Sequence, residues 1–250
     1  MTYNEHRAMA TAVAAGLAVA HAGPGITALR TVRTTFFPLL SGQGTCDHVA
    51  LTFDDGPDPA ATPQFLDALR ERGVRATFFL LGSQVARASR LAADIADAGH
   101  EIGVHGWRHR YLPLRGPAAT HADLAGSKEI IAAAAGMEPW LFRPPYGVLS
   151  TAGLVAAGRL GLTPVLWNCC GREWARGATA QSVYQSLLGD LEGGVTVLLH
   201  DSDCAAPRGS WRAALGALGL LLDECDRRGL RVGPLGEHGP HWQAPRRFPP

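Results

Sequence analysis

From residue 48 onward, two kinds of apolar pattern alternate along the chain. Short continuous runs, His48–Phe53, Ala76–Leu81, Glu101–His105, Leu141–Pro144, Pro164–Asn168, Val195–His200 and Leu230–Val232, read as buried strands. Between them, Thr62–Arg72, Ser83–Ala98, Pro117–Ala135, Thr151–Arg159, Thr179–Leu191 and Ser210–Arg228 read as helices. In the first of these, Phe65, Leu66 and Leu69 fall on one face and Gly73 follows as a C-terminal stop.

This alternation predicts a parallel sheet built from right-handed crossovers. Closed, such a sheet is a barrel; open, it is a doubly wound layer. Polar residues collect at one set of ends: Asp54, Asp55, His105, Arg143, Asn168, His200 and Asp201 all close a strand. Barrel strands bring these ends to one mouth, whereas an open sheet spreads them along a line. Convergence favours the barrel. Residues 1–45 read as an N-terminal extension, 46–235 as the domain, and 236–250 as a Pro-rich tail.

Composition narrows the picture. With 250 residues and 46% hydrophobic content the chain can bury one substantial core. The net charge is +1 from 23 basic and 22 acidic side chains, and Lys128 is the single lysine, so nothing favours a nucleic acid partner. Five cysteines and no Cys-x-x-Cys pair argue against a disulfide framework or a cysteine-rich zinc site. The apolar run Ala8–Ala20 is 13 residues long, short of the roughly 30 Å of a bilayer core, so no transmembrane segment is expected. It reads as a helix packed on the domain, or as a secretory signal cleaved at Ala20-His21-Ala22. Its Ala-rich makeup, with only Arg7 ahead of it, favours a cytoplasmic location over secretion. A monomer is expected.

Asp54 and Asp55 leave the most apolar of the early strands, on the rim where catalytic groups collect. His105 and His109 have the spacing that one helical turn would place on a common face, which is metal-ligand spacing. Gly at position 106 excludes the His-Glu-x-x-His arrangement, so a carboxylate must come from elsewhere. One of the two aspartates completes an Asp-His-His set for a catalytic metal, leaving the other free to accept a proton. His200 reaches the same mouth and can protonate a leaving group; Arg143 can pair with a carboxylate. Trp107, Trp167 and Trp174 near strand exits suit a sugar ring.

Five strings taken in order then resemble the motifs of the polysaccharide deacetylases, carbohydrate esterase family 4. They are Thr52-Phe53-Asp54-Asp55-Gly56, His105-Gly106-Trp107-Arg108-His109, Arg143-Pro144-Pro145-Tyr146, Cys170-Gly171-Arg172-Glu173-Trp174 and Leu198-Leu199-His200-Asp201. The resemblance implies a distorted single-domain (β/α) barrel of about seven parallel strands. It implies a metal-dependent hydrolase removing acetyl groups, foremost N-acetyl, from a carbohydrate such as chitooligosaccharide or peptidoglycan. Asp55, His105 and His109 would hold a divalent metal, Zn2+ first, with Co2+, Ni2+ or Mn2+ as substitutes. Asp54 would be the general base and His200 the general acid. Arg143 would tune Asp54 and Glu173 would orient His200. The backbone N–H of Tyr146 would face the oxyanion, while Trp174 and Leu198 would line the acetyl pocket.

Two departures stand out. Gly106 occupies a position where the family usually has Ser or Thr, and Cys170 and Glu173 replace two aspartates of the fourth motif. The altered fourth motif leaves one alternative, a carbohydrate-binding protein that kept the barrel without turnover, and the short chain without an added carbohydrate-binding module leaves another, an amidohydrolase of a small acetylated metabolite.

Overall fold

The computed structural model of the chain describes residues 3–243. Its strands are β1 (His48–Asp54), β2 (Thr77–Leu80), β3 (Glu101–Val104), β4 (Leu141–Phe142), β5 (Thr163–Pro164), β6 (Cys169–Cys170), β7 (Thr196–His200) and β8 (Arg231–Gly233). Seven of them follow the order β5-β4-β3-β2-β1-β7-β6, and β8 pairs with the start of β1. Every pairing is parallel. The sheet curls into the distorted barrel that the strand pattern predicts, left open between β5 and β6.

β1 is an interior strand, paired with β2, β7 and β8, and is buried at all seven positions, which is why it reads as an unbroken apolar run. Its alternation still decides what faces the barrel interior. Phe53 points out toward the helices, stacking on Phe78 at 4.9 Å and meeting Phe65 edge-on at 5.0 Å. Thr52 and Asp54 point inward, where one nitrogen of Arg143 reaches both.

The outer layer is α3 (Thr62–Glu71), α4 (Gly82–Val85), α5 (Ser89–Asp97), α6 (Pro117–Ala135), α7 (Thr151–Arg159), α8 (Ala180–Leu188) and α9 (Trp211–Arg227). Local chemistry sets several ends. Ser150 accepts from the Gly153 amide at the start of α7, Thr179 and Ser182 form a capping box on α8, and Gly136 closes α6 at a φ of +66°. The single helix predicted over Ser83–Ala98 is two. Ala88 lies outside helical geometry, and the Gly82 and Ser83 amides donate to Gly106 and Trp107 carbonyls, tying the first piece to the loop after β3.

The strand predicted over Pro164–Asn168 is also corrected. Only Thr163–Pro164 pairs with β4; the chain then leaves the sheet, and Cys169–Cys170 pairs with β7. Carbonyls that a ladder would have used are taken by arginines. Arg143 donates to Val165 and Leu166, Arg33 to Trp167 at 2.8 Å and Arg30 to Asn168 at 3.2 Å. Arg30 and Arg33 belong to a short helix, α2 (Arg30–Phe36), so the extension covers the open seam.

Ahead of α2 lie α1 (Tyr3–Ala22) and a 3-10 turn (Gly23–Ala28). The 13-residue apolar run is only the middle of a 20-residue helix, none of it buried. Among the described residues, Tyr3–Ala28 is long and apolar enough to cross a membrane, so the length argument against a span fails. At the other end, Trp242 is buried among Ala50, Phe79, Leu141, Val165 and Leu235, and its Nε1 donates to the Gln43 carbonyl. Residues 244–250 of the Pro-rich tail lie outside the described residues. All five cysteines are free thiols.

Candidate active site

Strand register builds the site. Asp54 and His200 are paired positions on β1 and β7, so their side chains leave the sheet level with one another. His105 and Arg143 follow the Val104–Phe142 pairing of β3 and β4, and the Arg143 amide donates to Val104 at 2.9 Å. His109 arrives by a loop rather than the helical turn its spacing suggested. Gly106, at a φ of +92°, makes the bend, and the two imidazole centroids end 5.2 Å apart.

Asp55 Oδ1 lies 3.4 Å from His105 Nε2 and 3.6 Å from His109 Nε2, and the three residues offer ligand atoms within 4.8 Å of one another. His105 Nδ1 is 2.7 Å from the Arg143 carbonyl, a contact it can make only as a donor, which leaves Nε2 as a lone pair facing Asp55. Burial pushes both imidazoles down to about 3, so neither is the cation that Asp55 lacks. Both Asp55 oxygens are buried without a hydrogen-bond partner. Burial, against the pull of His200 and with the charges of Asp54 and Glu173, raises that carboxyl to about 7. A buried carboxylate beside two neutral imidazoles is costly by itself and becomes favourable around a cation. One oxygen and two nitrogen donors fit a divalent metal.

Asp54 is separately held. Its Oδ1 accepts from Arg143 at 2.8 Å, and its Oδ2 is 3.8 Å from His105 Nε2. Arg143 is completely buried. It also donates to Thr52 and to the two seam carbonyls, and lies 4.1 Å from the Phe79 ring centroid. This arginine therefore fixes the angle of one aspartate while closing the barrel.

On the other side, Glu173 Oε1 is 2.7 Å from His200 Nδ1, so the longer side chain reaches the imidazole. Burial alone would disfavour the charged ring. The Glu173 charge and hydrogen bond, with Asp55 and Asp54, outweigh it and raise His200 to about 9. At neutral pH His200 carries a proton to give. Trp174 sets its edge against the His200 ring at 5.2 Å.

These groups open into a single cleft of about 330 Å³ that includes Asp54, Asp55, His105, His109 and His200, with Tyr146, Trp174 and Leu198 in its walls. Tyr146 packs edge-on to His109 at 4.2 Å. Among the described residues, three that are not glycine have positive φ, namely Asp55 at 78°, Tyr146 at 60° and Arg172 at 58°, and each lies in one of the five strings. Strain of this kind costs of order 1–3 kcal/mol per residue and collects at functional sites.

Trp107 does not join the cleft. Its ring lies against Gly82 and Gly126 under α4 and α6, while its amide donates to Asp123. Gly147, Ala205 and Ala206 do line the walls, and sequence patterning gave no sign of them. Nor did any local signal mark Arg33, which holds the backbone of Trp167, another wall residue, from 134 positions away.

Comparison with known proteins gives a consistent result. The family described as polysaccharide deacetylase matches residues 41–165. A chitooligosaccharide deacetylase from Bradyrhizobium sp. (strain ANU 289) is 34% identical over 218 residues, covering 81% of this chain and 98% of that protein. A peptidoglycan-N-acetylglucosamine deacetylase from Bacillus cereus is 35% identical over 192 residues, covering 76% and 86%. A crystal structure of a peptidoglycan N-acetylglucosamine deacetylase in complex with an N-hydroxybenzamide superposes with a TM-score of 0.73 at 31% identity. It covers 79% of this chain and 91% of that one.

Proposed function

This chain belongs to the polysaccharide deacetylase family, carbohydrate esterase family 4, and from that membership we propose that its cleft removes the acetyl group from an N-acetylated amino sugar. The observation that carries this reading is the meeting, in one cleft, of an unpartnered buried carboxylate, two neutral imidazoles, a second carboxylate and a protonated histidine.

Asp55, His105 and His109 would hold a divalent cation, which when bound supplies a Lewis acid for the acetyl carbonyl and for water. The donor set favours Zn2+, with Co2+, Ni2+ or Mn2+ able to replace it. Asp54 takes the proton of the attacking water. Arg143 holds that carboxylate by one oxygen, leaving the other toward the cleft. His200, charged through Glu173, gives its proton to the departing nitrogen. The backbone N–H of Tyr146, at the cleft wall on a left-handed residue, would donate to the developing oxyanion. Leu198 and Trp174, both in the cleft wall, would line the place of the acetyl methyl. Trp167, Trp174 and Tyr146 supply aromatic wall that suits a sugar ring. At about 330 Å³ the cleft takes one sugar unit and leaves neighbouring units outside, which suits chitooligosaccharide or peptidoglycan glycan strands. The catalytic unit is residues 46–235, buttressed at the seam by Arg30 and Arg33.

Acetate release by the metal-reconstituted protein, measured across chitooligosaccharides, peptidoglycan fragments, acetylxylan and small N-acetyl sugars, tests the reading. Release from an N-acetylated glycan is expected. Saturable binding with no acetate from any of them would leave a carbohydrate-binding protein instead.

A further inference from the structure

We propose that α1 spans a lipid bilayer and tethers the catalytic domain to a membrane. The helix and the turn after it, Tyr3–Ala28, are together long and apolar enough to cross the roughly 30 Å of a bilayer's hydrocarbon core. From Ala8 to Leu29, 22 consecutive residues, no Asp, Glu, Lys or Arg occurs; Arg7 and Arg30 bracket the stretch.

The nature of the exposed surface selects the occupant. Met9, Val13 and Leu17 lie along one side, Val19 lies on the other, and alanines fill most of the remaining positions, so between Ala8 and Ala20 the helix is apolar nearly all round. A helix that docked in a protein groove would carry one apolar stripe and one polar face. None of this helix's residues is buried, and apart from Thr11 its polar side chains lie at its two ends, residues 4–7 and His21, rather than along a face turned to water. A medium that surrounds it meets that pattern, and a bilayer is such a medium.

The domain surface at the foot of the helix continues the same chemistry. Ile26, Leu29, Phe36 and Phe37 are exposed, and an apolar groove of about 560 Å³ opens among Ile26, Phe37 and Leu154. Beside it, a cleft of about 710 Å³ combines Leu17 and Val155 with His21, His121 and Arg159, an apolar lining with basic groups. Acyl chains under phosphate headgroups present the complementary order. The Thr151 hydroxyl donates to the Ala20 carbonyl at 2.6 Å, which joins the helix end directly to α7. The domain would therefore rest on the membrane surface, with its cleft within reach of glycan held close to that surface.

The full chain is expressed and its membranes are washed with 1 M salt and then with sodium carbonate at pH 11. Purified full chain is also floated with vesicles of phosphatidylcholine and phosphatidylglycerol. The expected results are retention through both washes, flotation with the vesicles, and an intact mass that still contains α1. Val13→Arg combined with Leu17→Arg is expected to lower the vesicle-bound fraction about 10-fold or more. Because neither residue is buried, the melting temperature of the domain should stay within about 2 °C. Recovery of the wild-type chain in the soluble fraction, or its release by salt or carbonate, would overturn the proposal. So would a mature N-terminus beginning after Ala22, or a double variant that floats as the wild type does.

Discussion

Glu173→Gln isolates the electrostatic part of acid catalysis, because it removes a charge while keeping an acceptor 2.7 Å from His200 Nδ1. The ring is buried, which by itself would lower its proton affinity, yet it stands at about 9 because Glu173, then Asp55 and Asp54, favour the charged form. At pH 8 a group of pKa about 9 is about 90% protonated, whereas one at the ordinary 6.5 is about 3% protonated. If the ring returns to the ordinary 6.5 when the Glu173 charge is lost, kcat/KM at pH 8 should fall about 30-fold, and further to the extent that burial outweighs the two aspartates. At pH 6 a ring at 6.5 keeps most of its proton, so on that value the loss is less than about twofold, and in every case it is smaller than at pH 8. The assay is the pH profile of acetate release from a soluble chitooligosaccharide, wild type against variant. The alkaline limb is expected to move to lower pH while the acid limb stays. A loss of equal size at pH 6 and pH 8 would show that Glu173 acts through packing alone and refute the charge argument.

Other outcomes follow from the same geometry. Asp54→Asn keeps an acceptor for Arg143 and should cut kcat by roughly 10²- to 10⁴-fold with bound metal unchanged by elemental analysis. Asp55→Asn should lose the metal and, in chelator at pH 8, melt above chelated wild type, because it removes a carboxyl that burial holds at about 7 with no partner. Arg143→Met would strand Asp54 and two seam carbonyls, and should cost about 3–5 kcal/mol by urea unfolding. Buried His100 and His238 are each held at about 4, mainly by burial, so the unfolded chain binds more protons between about 4 and 6.5. Stability should therefore be full above pH 6.5 and fall toward pH 4, by at most about 3 kcal/mol for each ring, seen as a falling urea midpoint.

What the sequence made legible was whatever depended on near neighbours. The β1 run is legible because a parallel strand covered on both faces must be apolar throughout, and the pattern stops where Asp54 begins the rim. Pro117–Ala135 has the same bounds in pattern and structure, since Pro117 opens the helix and Gly136 ends it. The 105–109 spacing was read as helical because i and i+4 share a helix face. A loop bent at Gly106 delivers the same two rings, and spacing alone cannot tell these apart. A side chain at position 106 would need a left-handed backbone and would start 3.1 Å from Asp123, which accounts physically for glycine there. The Trp107 reading failed because proximity to a strand exit does not say which side of the loop a ring takes.

The seam shows where local reading runs out and why. Residues 165–168 are as apolar as a strand, and a pairing rule based on pattern must assign them to one. Their carbonyls are instead met by Arg143 from within the barrel and by Arg30 and Arg33 from a helix more than 130 positions earlier in the chain. Buried guanidinium groups are tolerable there because each has several carbonyl or carboxylate acceptors. Arg33 also donates to Ala28 and stands over Trp167 at 5.3 Å. The gap in the ladder frees the backbone near Trp167 to stand at the cleft wall, which a paired strand would hold in the sheet. Arg143 serves both ends of this arrangement, sealing the seam with two nitrogens and fixing Asp54 with the third. The opening of the barrel and the orientation of the proposed base are thus one structural decision, made by a residue whose pairing with a carboxylate is legible in the sequence and whose hold on the seam is not.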